Sequence, residues 1–170
     1  MRVLLLSVLL AGSMSFADEA PPPEVKRTVD ALNGNWSGEL TMTEAGKPPV
    51  KFKGKWACHK IAAGGAVSCE MNAPMGAAGM MSETDLIGYD VETKAVHVMT
   101  WNNMGEVHDH KAAWTDDKTL VGHHTATAMG KPLEENFTFN FPSANTSTFK
   151  FTATVDGKAS TLEGKMTRRR

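Results

Sequence analysis

Beyond residue 33 the chain alternates. Short runs with every second position apolar or aromatic are separated by clusters of Gly, Pro, Asn and Asp. This pattern predicts strands near 35–43, 50–59, 66–72, 82–89, 94–101, 106–114, 119–128, 134–141, 146–155 and 158–167. Between them lie turn signals such as Ala45-Gly46-Lys47-Pro48, Asn102 to Gly105 and Thr115 to Lys118, and Asp156-Gly157 signals a tight hairpin. Phe137, Phe139 and Phe141 share one face of their strand, and Phe149 and Phe151 share one face of the next. Only Glu24 to Leu32 shows helical spacing, through Val25, Val29 and Leu32, and it predicts one short helix covering an apolar end. About ten antiparallel strands joined in sequence point to an all-β chain closed as a single up-and-down barrel over residues 24–168, because closure removes exposed edges. A two-sheet sandwich is the structural alternative.

The N-terminus changes the expected location. Met1-Arg2 gives a positive start, Val3 to Gly12 is apolar except for Ser7, and Ser15-Phe16-Ala17 offers small residues for cleavage. Residues 1–17 therefore read as a signal peptide, and 18–23 as a Pro-rich lead. The apolar run is about half the length that spans a bilayer, so the chain is expected to be periplasmic or secreted and not membrane-spanning. The whole chain has 170 residues, 22% charged and 41% hydrophobic, which is a globular composition. A net charge of -1 lacks the basic surplus of a nucleic-acid binder.

Export makes Cys58 and Cys69 a candidate disulfide. With Ala62 to Gly65 as a four-residue loop, Ile61 faces Ala66 and Cys58 falls opposite Cys69.

Five of the six histidines, His97, His108, His110, His123 and His124, lie within one stretch of three strands. A four-residue loop at Asn102 to Gly105 would set His97 opposite His110 and Met99 opposite His108. Pairing Thr115 with Lys118 would set His110 opposite His123; a one-residue slip would substitute His124. Asp109 and Lys111 belong on the wet face, so the histidine face, with Trp101 and Trp114, is expected inside. An interior imidazole cluster without a carboxylate suits zinc or copper. Met71, Met75, Met80 and Met81 fall in a Gly/Ala-rich segment that reads as a lid over the barrel mouth, or as soft ligands for copper.

Three motifs carry a resemblance. Leu32-Asn33-Gly34-Asn35-Trp36-Ser37-Gly38-Glu39 resembles the opening of lipocalin-like barrels. Gly88-Tyr89-Asp90-Val91-Glu92-Thr93-Lys94 and Trp114-Thr115-Asp116-Asp117-Lys118-Thr119-Leu120 are similar to hairpins of an uncharacterised bacterial domain group. The resemblance implies a fatty-acid-binding-protein-like or nitrobindin-like barrel with a central cavity. Nitrobindin-type barrels bind haem through a histidine near their C-terminus, whereas the last histidine here is His124. Gly34 and Trp36 are expected to be structural, Trp36 plugging the floor. No hydrolase elbow, zincin helix, phosphate loop or dinucleotide fingerprint is present, so the sequence reads as a small-molecule binder and not an enzyme. A copper, zinc or haem carrier is the alternative.

Overall fold

The computed structural model describes residues 21–74 and 79–169; the expected signal peptide, the start of the expected Pro-rich lead and Met75 lie outside them. The chain opens with helix α1 (Pro23–Leu32) and continues through ten strands: β1 (Gly34–Glu44), β2 (Val50–Ile61), β3 (Ala66–Pro74), β4 (Met80–Asp90), β5 (Ala95–Asn102), β6 (Val107–Trp114), β7 (Thr119–Ala128), β8 (Lys131–Ser143), β9 (Thr146–Val155) and β10 (Lys158–Arg169). Each strand pairs antiparallel with the next, and β10 closes on β1. The barrel expected from the alternation is therefore the fold, and the sandwich is not. Among the described residues no helix is long and apolar enough to cross a membrane.

α1 is a plug. Pro23 sits in its first turn, where the missing N–H costs nothing, and Val25, Thr28, Val29 and Leu32 face the barrel. Side chains tie it down. Trp36 Nε1 donates to the Leu32 carbonyl at 2.7 Å, and Trp114 Nε1 donates to Thr28 Oγ1 at 3.0 Å. Arg168 Nη2 donates to the Ala31 and Asp30 carbonyls at 2.7 and 3.0 Å. The same guanidinium lies 4.5 Å from the Trp36 ring. Trp36 is only 2% exposed. Gly34 takes φ +131°, and Arg168, not the helix backbone, fills the space where its Cβ would stand. Beneath the plug, Val67, Val96 and Leu120 form a dry layer with Leu32 of α1. Each such side chain contributes about 1.5–3 kcal/mol by leaving water.

Ile61 pairs with Ala66 and Cys58 with Cys69, the register expected of that hairpin. The two cysteines form a disulfide, both buried in the barrel wall at the helix end.

Candidate functional site: a two-faced barrel cavity

Below the dry layer the barrel is hollow. A cavity of about 370 Å³ runs from Trp36 and Trp56 out to Met104 and Met129. Those two methionines are 66% and 94% exposed, so this end, opposite the helix, is the mouth. The volume lies within the range of small-molecule pockets.

The lining divides into two walls. One is aromatic and aliphatic: Phe137 and Phe139 from β8, Phe149 and Phe151 from β9, and Leu162 from β10. Trp56 stacks on Phe139 across the interior, with centroids 5.4 Å apart and planes 7° apart. The other wall is polar: Glu83 and Asp85 from β4, Thr100 from β5, and His108 and His110 from β6, with Glu135 at the seam on β8, two residues from Phe137. Asp85 accepts hydrogen bonds from Thr100 Oγ1 at 2.7 Å and Trp56 Nε1 at 3.1 Å. Burial pushes its carboxyl above the usual range, against the hydrogen bonds that lower it. Glu83 is pushed up to about 8, first by burial and then by the facing carboxylates of Asp85, Glu135 and Glu106.

The histidines divide between the two sides of the wall. His108, His110 and His124 come together: the His108–His124 centroids are 5.0 Å apart and the His110–His124 centroids 5.2 Å. Glu135 Oε2 lies 2.9 Å from His108 Nδ1 and 3.0 Å from His110 Nε2. His97 and His123, expected in the cluster, are on the outer surface. His97 donates to the Asp109 carboxylate at 3.0 Å, and His123 bonds Asn136 Oδ1 at 3.0 Å.

Both displacements come from turn length. Asn102 N bonds the Glu106 carbonyl, so the β5–β6 loop has three residues, with Gly105 at positive φ, instead of four. Thr100 then faces His108 and Val98 faces His110. The single-residue change turns His97, Met99 and Trp101 outward; Met99 and Trp101 are 39% and 38% exposed. Thr115 N bonds the Thr119 carbonyl, lengthening the next turn by one residue, so Lys111 faces His123 and His124 takes the inner place.

Other expected lining residues scatter. Met71 and Met81 line the cavity near its mouth. Met80 is exposed. Trp114 belongs to the plug, tilted against Phe141 at 5.8 Å.

The expectation of a histidine cluster without a carboxylate is corrected by Glu135, which faces His124 across β7–β8. The signal was present: Glu135 has the same strand parity as Phe137, Phe139 and Phe141, so their shared face carries it inward. Glu83 and Asp85 share parity with Ile87 in the same way.

No curated protein matches the chain. Among solved structures, the fold is similar to the S-type phycobiliprotein lyase CPES from Guillardia theta, with 10% identity and a TM-score of 0.62 over 86% of this chain and 93% of that one. It is also similar to Rv2717c from M. tuberculosis, with 13% identity and a TM-score of 0.61 over 90% of this chain and 100% of that one. At these identities the likeness is one of fold. The model of a family described as protein of unknown function, DUF1579, matches residues 21–168, the helix and all but the last residue of the barrel, and the chain belongs to that family.

Proposed function

We propose that this chain is an exported binding protein, not an enzyme, and that its barrel holds one small, mainly apolar molecule. The ligand's flat or aliphatic body lies on the phenylalanine wall, and its hydrogen-bond-donating or cationic end meets the carboxylates opposite. The observation that carries this reading is the division of the cavity: Phe137, Phe139, Phe149 and Phe151 on β8 and β9, with Glu83 and Asp85 across the barrel on β4. Apolar walls supply affinity, and a few placed polar groups fix orientation. Four carboxylates, those of Glu83, Asp85, Glu106 and Glu135, line the space, and a positive end would relieve their repulsion.

Two features support export. Residues 1–17 have the signal layout, and the Cys58–Cys69 disulfide suits an oxidising compartment. N-terminal sequencing of the protein recovered from its own host is expected to begin at Asp18; an intact Met1 would contradict export.

Fluorescence titration tests the binding mode. Thioflavin T, a cationic aromatic dye, is expected to brighten on binding and to be displaced less readily than anilinonaphthalene sulfonate, an anionic one. Ala153→Trp, which fills the cavity from β9, is expected to abolish the signal. Equal dye responses from wild type and Ala153→Trp would place the dye elsewhere and sink the reading.

A further inference from the structure

We propose that His108, His110 and Glu135 form a binding site for a divalent transition-metal ion, with Zn²⁺ the best match, on the polar wall of the cavity. The proposal goes beyond the ligand reading and does not depend on it. One nitrogen of each imidazole and one oxygen of Glu135 all lie within 4.8 Å of one another. His110 and Glu135 are each 4% exposed.

The contacts are close but are not hydrogen bonds. Glu135 Oε2 approaches both imidazoles at 2.9 and 3.0 Å. Yet this oxygen and both ring nitrogens of His110 are buried without a hydrogen-bond partner. A buried carboxylate oxygen and imidazole left in this state cost free energy unless something else satisfies them. A cation among them does so. Ligand atoms about 2.0–2.2 Å from a tetrahedral Zn²⁺ stand roughly 3.4 Å apart. Moving Glu135 Oε2 about half an ångström away from the two nitrogens would bring both carboxylate–imidazole distances to that spacing.

His124 supplies the second observation. Its Nδ1–H donates to the Asp109 carbonyl at 3.0 Å. That bond fixes the tautomer, leaving Nε2 as a bare lone pair, and Nε2 is buried and unpartnered. Its ring centroid stands 5.0 Å from that of His108 and 5.2 Å from that of His110, so its Nε2 is a further imidazole nitrogen beside the three-residue set. Strand β6 organises all of this. His108 and His110 point inward two residues apart, while Asp109 between them holds His124 through its carbonyl and His97 through its side chain.

The donor chemistry selects among metals. Two imidazole nitrogens and a carboxylate oxygen suit Zn²⁺, and they suit Cu(I), which prefers thioethers and thiolates, poorly. Met99, expected opposite His108, is on the outer face of the barrel and offers no thioether to the site.

The test uses the mature chain, tag removed and stripped with a chelator, and Zn²⁺ alone as the probe. Calorimetry, with elemental analysis after gel filtration, is expected to give one zinc per chain and a raised Tm. His108→Ala, His110→Ala and Glu135→Gln are each expected to weaken binding by at least about 100-fold. His97→Ala and His123→Ala, on the outer surface, are expected to bind as wild type does. Glu135→Gln preserves size, so it decides the matter if an alanine variant fails to fold. Substoichiometric or millimolar uptake by wild type, equal uptake by Glu135→Gln, or loss on His97→Ala or His123→Ala would each overturn the proposal. Because no organic ligand is involved, an empty result here leaves the dye experiment to judge the cavity separately.

Discussion

Glu83 shows how a single side chain can set the pH response of the whole barrel. Its folded pKa is about 8 against an ordinary value of 4.5, so between those values the native state holds a proton that the unfolded chain has released. Stability is then greatest at the acid side of that window and falls as pH rises through about 8. The buried Asp85 carboxyl, also raised, acts in the same direction. Urea denaturation across the window is expected to show this fall, and Glu83→Gln is expected to flatten it; an unchanged slope in Glu83→Gln would remove Glu83 from the account. Gly122 gives a second prediction at this scale. It faces Phe137 across β7–β8, and a Cβ there would run into the Phe137 ring. Gly122→Ala is therefore expected to cost about 1–3 kcal/mol and to weaken dye binding, since the displaced ring is part of the apolar wall. Legibility at this scale was uneven. The phenylalanine stripe was visible as alternation, and Glu135 was readable from the same parity. The unpaired state of its Oε2 was not, because it depends on angles that no sequence pattern carries.

Elements were read well where their turns were unambiguous. The hairpin around Ala62 to Gly65 placed Cys58 opposite Cys69 because the loop length left one register. Breaking that link with Cys58→Ser and Cys69→Ser together is expected to lower unfolding free energy by about 2–4 kcal/mol, measured by denaturation under non-reducing conditions. The loops after β5 and β6 were harder. Each differed by one residue from the simplest pairing, and each difference turned a histidine from the interior to the surface. Asn102 explains part of the first error: its side-chain oxygen accepts from the Met104 and Glu106 amides, at 3.0 and 3.1 Å, and holds the three-residue loop. The α1 plug depends on a contact distant in sequence, Arg168 on the Ala31 carbonyl. Arg168→Ala is expected to raise amide exchange in α1 at least about tenfold while β-strand protection persists. Equal loosening of helix and strands would show that α1 has no independent fastening.

At the scale of the molecule, closure organises everything else. Ten consecutive strands with β10 on β1 leave no free edge. The helix seals one end and the cavity opens at the other. This architecture was legible because strand alternation and turn spacing are local signals repeated ten times, so an error in one turn does not alter the fold. The site was less legible because it joins β4, β6 and β8, whose relative facing is the accumulated result of every intervening register. The most direct test of the account is native mass spectrometry of the chain isolated from its own host without denaturation. The expected spectrum shows an added small organic mass that leaves on unfolding and is missing from Ala153→Trp. A bare chain mass, together with no response to either dye, would contradict a ligand-holding barrel.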